Sequence, residues 1–141
     1  MYDDGYSNIY NIDISENVII SMKERNLTRP KMICKLYLIQ DEVMDVRDIK
    51  YPDKFFDIAV DKSTIDALLC GDNSFLNVAI MTKEVQRVLK NGGIYMVISY
   101  GAPENRVFHF EREHLALDIN IYTIKKDYND NDEKSEKVLK Y

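Results

Sequence analysis

The sequence predicts an α/β fold with a mostly parallel sheet and helices packed against it. Short apolar runs of strand length alternate with segments of helical periodicity over residues 8–100. The run Ile94–Tyr100 begins directly after a Gly-Gly pair that suits the end of a helix. The chain has 141 residues, 45% hydrophobic and 30% charged, which suits one globular core.

The first third of the chain predicts a strand, a helix and a second strand. Asn8–Asp13 forms the first strand, and Ser15 is placed to cap a helix that reaches Asn26. Pro30 lies beyond the end of that helix. The segment Met32–Met44 is either one strand or a strand with an irregular lead-in.

The middle third predicts the best-defined elements. Phe55–Asp61 is an almost wholly apolar strand, and a short helix over Ser63–Leu69 follows it. Ser74 is expected to cap the longest helix, which ends at Lys90-Asn91-Gly92-Gly93 with glycine in the left-handed cap. An apolar stripe on that helix predicts packing against the sheet: Val78, Met81, Val85, Val88 and Leu89.

The pattern weakens after residue 101. Phe108–Leu117 is expected to form a helix, and Leu117–Ile124 alternates like a strand. Residues 126–141 are mostly charged, which predicts a solvated, flexible tail. The domain is therefore expected to span residues 1–125.

Composition excludes several classes of function. The net charge of −5 disfavours nucleic acid as the main partner, since phosphate contacts need clustered Lys and Arg. No apolar run is long enough for a membrane span, and no secretory signal begins the chain. Cys34 and Cys70 lack metal spacing, which favours buried thiols in a reducing cytoplasm. His109 and His114 suggest surface or substrate-lip positions, and no metal site is expected.

Three predicted strands end in an acid at the edge where parallel sheets bind ligands: Asp13, Asp45 and Asp61. A carboxylate at such a position can accept both ribose hydroxyls of a nucleoside. A second acid on the next strand can accept from an adenine amine. The alternative, which is commoner for any one acid taken alone, is that it caps the following helix or turn.

Five strings in order make the pattern specific. They are Asn-Ile-Asp-Ile-Ser (11–15), Met-Asp-Val-Arg-Asp (44–48), Asp-Lys-Ser-Thr-Ile-Asp-Ala-Leu-Leu-Cys-Gly (61–71), Glu-Val-Gln-Arg-Val-Leu-Lys-Asn-Gly-Gly (84–93) and Ile-Ser-Tyr-Gly-Ala-Pro-Glu (98–104). Together they resemble the seven-stranded, class I S-adenosylmethionine-dependent methyltransferases, over roughly residues 4 to 125. The most similar branch methylates lysines of translation elongation factors, and the resemblance implies a Rossmann-like sheet.

The resemblance implies a cofactor site for S-adenosylmethionine. Asp13 would hold the ribose hydroxyls, and Ile14 would pack on the adenine. Asp45 would accept from the adenine amine, while the backbone of Val46 lines the same pocket.

The acceptor side is implied less fully. Lys62 would contact the cofactor near its amino-acid end, and Asp61 would lie at the rim where the acceptor enters. Tyr100 is a candidate donor that supports the reacting groups, although a strand tyrosine is more often a packing residue with its hydroxyl at the sheet edge. The implied activity is methyl transfer to a lysine of a cytoplasmic protein, with an elongation factor as the candidate partner.

The sequence departs from the family pattern in three ways. A strand and a glycine-rich turn that normally precede Asn8–Asp13 are expected to be missing, and so is the last strand. Ser63 stands where glycine is usual, which predicts a strained positive φ. The result resembles a partial methyltransferase domain.

Two further hypotheses remain open. The chain is alternatively a non-catalytic or truncated subunit that needs another chain to complete its sheet, with self-association through open sheet edges. A nicotinamide-dinucleotide enzyme shares the acid at a strand end. That class loses its chief support because no Gly-x-Gly-x-x-Gly turn is present.

Overall fold

The computed structural model describes residues 1, 4–6, 8–27, 38–112, 115, 117–125 and 135–140. The chain divides into two compact units, Met1–Lys50 and Tyr51–Tyr141, and each is described by itself. Both units contain parallel strands with helices, as the sequence predicts. None of the helices described has the length and apolar character that crossing a membrane requires.

The first unit is a strand–helix–strand arrangement. Strands β1 (Asn8–Asp13) and β2 (Leu38–Val43) pair in parallel, and helix α1 (Glu16–Leu27) follows β1. These bounds confirm the predicted first strand and helix. Within the ambiguous segment 32–44, the strand occupies Leu38–Val43, and the predicted lead-in together with Pro30 lies outside the described residues.

A buried carboxylate holds the first unit together. Asp41 on β2 accepts from the side-chain amide of Asn11 on β1 at 2.8 Å and from that of Asn26 on α1 at 2.7 Å. Burial of a carboxylate is costly unless its oxygens accept hydrogen bonds, and here each oxygen accepts one. The contact fixes α1 against both strands.

The second unit has a four-stranded sheet in the order β3-β4-β6-β5. Strands β3 (Phe56–Lys62) and β4 (Leu89–Ser99) are parallel. Strand β6 (Ser135–Lys140) is antiparallel to both of its neighbours, β4 and β5 (Asn120–Lys125).

Two helices connect β3 to β4. They are α2 (Thr64–Leu69) and α3 (Ser74–Val88). The predicted stripe on α3 is confirmed, since Val78, Met81, Val85 and Val88 are buried. The N-cap is Asn73, in the left-handed region at φ 52°, rather than Ser74 as expected. Ser74 is the first residue of the helix, so its side chain cannot serve as the cap.

The segment between α3 and the regular part of β4 contains an irregularity. Strand pairing with β3 begins at Phe56 and Leu89 and shifts register before Ile58 meets Ile94. Residues 90–93 therefore form a bulge in β4 instead of extending the end of the helix. Gly92 does have a positive φ, 76°, but it lies within β4. The C-cap of α3 is Leu89 in an extended conformation, so the predicted glycine cap is wrong.

The C-terminal part differs most from the sequence prediction. Residues 103–105 and 107–109 form two 3-10 turns, and the described residues of Phe108–Leu117 contain no α-helix. Pro103 favours the start of such a turn because its φ is already fixed. Ser135–Lys140, inside the segment expected to be a solvated tail, forms an inner strand of the sheet.

Candidate functional site

The first candidate site lies at the carboxyl ends of β1 and β2. Asp13 and Val43 are register partners, and Met44 donates its backbone N–H to the Asp13 carbonyl oxygen at 3.0 Å. The turns that follow the two strands are therefore neighbours. This is the edge at which parallel α/β sheets bind ligands.

One of the two Asp13 carboxylate oxygens accepts a hydrogen bond from the described residues. Its Oδ1 accepts the backbone N–H of Ser15 at 2.8 Å, which is the turn-capping contact that the alternative interpretation predicts. Its Oδ2 accepts no hydrogen bond from any residue that the structure describes. The next side chain, Ile14, is 70% exposed. An acceptor oxygen and an apolar surface therefore stand side by side.

The Asp45 carboxylate is bound to Arg47. Its Oδ1 accepts the Arg47 backbone N–H at 2.8 Å and Nε at 3.0 Å, and its Oδ2 accepts Nη2 at 2.6 Å. Hydrogen bonds from the guanidinium hold the pKa of Asp45 below its usual value. An adenine amine would compete with Arg47 for these oxygens. Val46, between the two, is half-buried.

The second candidate site lies at the carboxyl ends of β3 and β4, in the other unit. Lys62 and Ile98 are register partners, and Ser63 follows Lys62 in the left-handed region at φ 66°. The positive φ expected where the family has glycine is thus confirmed. Lys62 is exposed and forms no ion pair within the part of the chain that the structure describes.

Asp61 faces inward. Its side chain accepts the backbone N–H groups of Thr64 at 2.7 Å and Ile65 at 3.1 Å, and the hydroxyl of Tyr95 at 3.2 Å. Burial raises the pKa of Asp61, although these hydrogen bonds favour its charged form. The residue is 7% exposed, which differs from the open rim position that the resemblance implies. It caps α2 instead.

A cluster that the sequence did not reveal lies beside this turn. Asp66 on α2 accepts from Ser99 Oγ at 2.5 Å and, through the same oxygen, from Arg106 Nη2 at 2.8 Å. Its other oxygen accepts the backbone N–H of Tyr100 at 3.0 Å. We call the side chains of Asp66, Ser99 and Arg106 the loop anchor. The Arg106 side chain is only 16% exposed.

His109 and Cys70, two of the residues singled out in the sequence, lie in environments that differ from those expected. His109 is buried and contacts the rings of Phe75 and Phe108, and burial lowers its pKa. It is therefore not a surface residue as expected. Cys70 is a free thiol and is exposed rather than buried. His114 and Cys34 lie outside the described residues.

No group of three or more His, Cys, Asp or Glu side chains within the described ranges is arranged to hold a metal ion. The arrangement at the first site instead offers carboxylate acceptors and an exposed aliphatic side chain. Those are the groups that a ribose and a flat heterocyclic base contact in proteins.

Sequence comparisons with known proteins also indicate a methyltransferase. The family model described as a methyltransferase domain matches residues 1–97. The eEF1A lysine and N-terminal methyltransferase of Bos taurus is 41% identical over 118 residues, which are 80% of this chain and 16% of that protein. The mouse EEF1A lysine methyltransferase 4 is 29% identical over 75% of this chain and 42% of its own length. The chain thus spans less than half the length of these relatives.

Solved structures share the fold. A SAM-dependent methyltransferase from Methanosarcina mazei superposes with a TM-score of 0.70 at 13% identity, covering 94% of this chain and 80% of the other. A Pyrococcus horikoshii protein gives a TM-score of 0.62 at 20% identity, covering 99% and 73%. At such identities the likeness concerns the arrangement of strands and helices alone.

Proposed function

This chain belongs to the class I S-adenosylmethionine-dependent methyltransferase family, and from that premise we propose that it transfers a methyl group to a lysine side chain of a translation elongation factor. The site geometry supports the cofactor half of the proposal. The similarity to eEF1A methyltransferases, 41% identical over 118 residues, supports the acceptor half.

The residues at the ends of β1 and β2 fit the nucleoside part of the cofactor. We assign the ribose hydroxyls to Asp13, because one of its oxygens accepts nothing from the described residues. Ile14 offers an exposed aliphatic surface for the adenine ring. This pairing of an acceptor oxygen with an exposed apolar neighbour is the observation that carries the proposal.

The adenine amine is assigned to Asp45, with the Val46 backbone beside it. Since Arg47 donates to both Asp45 oxygens, the amine would take over one of these acceptor positions. The resulting exchange has a modest cost because the Arg47 side chain is partly exposed and can be hydrated when displaced.

Lys62 is assigned to the amino-acid end of the cofactor, where a cation would pair with the carboxylate. When bound, the cofactor supplies an electrophilic methyl group that a neutral amine accepts as the sulfonium becomes a thioether. The chain contributes mainly approach and orientation, and the acceptor lysine must first lose a proton. Asp61 fixes the turn that carries Lys62 by accepting the first two N–H groups of α2.

The partner that follows from this activity is a folded cytoplasmic protein, and we place the chain in the cytoplasm for that reason. No role for nucleic acid or membrane is proposed. The acidic net charge of −5 suits a basic acceptor surface around the target lysine.

Two measurements test the proposal. Titration calorimetry with S-adenosylhomocysteine is expected to show binding, and transfer of tritiated methyl from S-adenosylmethionine to purified elongation factor 1A is expected to label a lysine. Mass spectrometry identifies the labelled residue. No heat and no thermal stabilisation at millimolar ligand would reject cofactor binding, while binding without transfer would reject the assigned acceptor.

A second candidate function is a subunit whose sheet is completed by another copy of the chain. Among the described strands, β3 pairs with β4 alone, and its Ile58 and Val60 side chains are 37% and 46% exposed. Open edges with apolar side chains recruit further strands. Light scattering is expected to show association that Val60→Lys abolishes. A monomer with full methyl transfer would reject this alternative.

A further inference from the structure

The loop anchor joins three parts of the second unit. Asp66 lies on α2, Ser99 is the last residue of β4, and Arg106 lies between the two 3-10 turns. The Ser99 hydroxyl donates to Asp66 at 2.5 Å and accepts from Arg106 Nε and from the Gly101 backbone N–H, both at 3.0 Å. The chain after β4 is thus held to α2 by side chains instead of sheet pairing.

The anchor is partly shielded from water. Ser99 is buried, and the Asp66 and Arg106 side chains are 19% and 16% exposed. Ion-paired hydrogen bonds in such surroundings are stronger than surface contacts. Four of these hydrogen bonds, donated by Ser99, Tyr100 and Arg106, end on the Asp66 carboxylate. A fifth, donated by Arg106, ends on the Ser99 hydroxyl oxygen.

Gly101 is part of the same packing. The Arg106 guanidinium lies against it so closely that a Cβ at position 101 would collide with that group. A shift of the guanidinium would disturb its hydrogen bonds to Asp66. Gly101 does not have a positive φ, so alanine is compatible with the backbone there. An alanine at position 101 would therefore force the Arg106 guanidinium, the far end of a flexible side chain, to shift.

The anchored loop borders the turn that carries Lys62. Ser63 donates its backbone N–H to the carbonyl oxygen of Ile98 at 2.9 Å, two residues before Tyr100. Tyr100 is fixed at its backbone by Asp66, yet its side chain is 77% exposed. An exposed aromatic side chain on a rigidly held backbone is suited to contact a bound protein.

We propose that Asp66, Ser99 and Arg106 are positioning residues that hold Tyr100 and the loop after β4 at the acceptor side of the site. This proposal rests on the proposed function, since it assigns the surface beside Lys62 to the protein substrate. The three residues act through the loop and touch no reacting atom.

The test compares four chains: the natural sequence, Gly101→Ala, Ser99→Ala and the control Gly71→Ala. Gly101→Ala displaces the guanidinium without removing a charge, and Ser99→Ala removes the central hydroxyl with little change in volume. At Gly71 an added Cβ would lie 3.8 Å from the nearest atom, the Leu68 carbonyl oxygen, which is an ordinary contact. Each chain is assayed for S-adenosylhomocysteine affinity and for kcat and KM of methyl transfer to elongation factor 1A.

We expect both anchor variants to lower kcat/KM for the protein acceptor by about tenfold to a hundredfold, because a small misplacement of a positioning surface has that effect. Their affinity for S-adenosylhomocysteine should stay within about twofold of the natural chain, well under the tenfold that 1.4 kcal/mol represents. Gly71→Ala should match the natural chain in both measurements. Amide exchange should quicken at residues 100–106 and not in β3.

Four results would overturn the proposal. If cofactor affinity falls in step with methyl transfer, the loop belongs to the cofactor side. If exchange quickens at residues 100–106 while kcat and KM stay unchanged, the loop does not face the acceptor. If the natural chain itself transfers no methyl group to elongation factor 1A, the proposed function and this proposal both fail, whereas an active natural chain with equally active variants rejects the anchor alone.

Discussion

The backbone N–H of Ser63 donates to the carbonyl oxygen of Ile98 at 2.9 Å, which ties the turn after β3 to the end of β4. Ser63 itself lies in the left-handed region, with φ 66° and ψ 7°. A residue with a Cβ is strained there. The strain lies directly beside Lys62, at the position proposed to meet the cofactor.

Ser63→Gly should therefore stabilise the protein. Glycine adopts this conformation without strain, and Ser63 makes no side-chain capping bond that would be lost. After subtraction of the greater flexibility of glycine in the unfolded chain, we expect a gain of about 0.5–1 kcal/mol in the free energy of unfolding. Urea denaturation measures it.

Ser74→Gly is the matched control for that substitution. Ser74 lies in the first turn of α3, where glycine should cost about 0.5–1 kcal/mol. If both substitutions lower the stability equally, the left-handed conformation at Ser63 carries no measurable strain.

The two roles assigned to the Asp13 carboxylate, stabilising the turn through Ser15 and binding the ribose, can be tested separately. Asn at this position keeps the contact with the Ser15 N–H, because asparagine caps such turns as well as aspartate does. It loses the negative charge that would bind the ribose. We expect Asp13→Asn to weaken S-adenosylhomocysteine binding by about 1–3 kcal/mol with little change in stability. Calorimetry and thermal unfolding give the two values.

Asp48→Asn serves as the control for Asp13. Asp48 is an exposed acid of the same unit and pairs with Lys50. It should leave the affinity unchanged, since an exposed ion pair contributes little. Equal affinities for Asp13→Asn and Asp48→Asn would reject the ribose assignment.

The loop anchor makes stability depend on pH. Burial favours the neutral form of Asp66, but hydrogen bonds from Ser99, Tyr100 and Arg106 outweigh it, so the pKa of Asp66 lies below its ordinary 3.8. A carboxylate with a lowered folded-state pKa stabilises the protein above its unfolded pKa. That stabilisation is lost as the pH falls through the folded-state pKa.

Asp66→Asn should accordingly lower the free energy of unfolding at pH 7 by about 1.5–3 kcal/mol, the usual range for hydrogen bonds to a charged group. The difference from the natural chain should shrink as the pH is lowered below about 4. Denaturation series at several pH values measure it, with Asp72→Asn, at an exposed position, as the control. A difference that grows on acidification would contradict the assigned sign.

Gly93 is required by the close packing of two strands. A Cβ there would lie 2.9 Å from the Lys90 carbonyl oxygen and 3.1 Å from that of Asp57. Both atoms belong to the backbone and cannot move without disturbing the bulge. We expect Gly93→Ala to destabilise the fold by about 1–3 kcal/mol, as overpacking does. Gly71→Ala, with only an ordinary contact, should change stability by less than about 0.5 kcal/mol.

Local patterns predicted much of the fold correctly. Strand Asn8–Asp13 and the buried stripe Val78, Met81, Val85 and Val88 were recognisable because the signal lies in neighbouring residues. Strand Ser135–Lys140 was not, since only two of its six residues are apolar. Its pairing with β4 and β5 is specified by distant parts of the chain, which a local pattern does not contain.

The site residues show the same division. Acids at strand ends were visible in the sequence, but their partners were not, apart from Arg47 two residues after Asp45. Asp66 and Arg106 are 40 residues apart, so no periodicity joins them. The sequence signal that points to this region is the string Ile-Ser-Tyr-Gly-Ala-Pro-Glu, which covers the loop that Asp66 and Arg106 hold in place.

The position of β6 has a consequence for biosynthesis. Strand β5 pairs with β6 alone among the described strands, and β6 is the later of the two to leave the ribosome. The hydrogen-bonding groups of β5 and the inner edge of β4 stay unpaired until Ser135–Lys140 has emerged. A nascent chain stalled before that point would expose aggregation-prone edges, so the four-stranded sheet can close only after β6 has been synthesised.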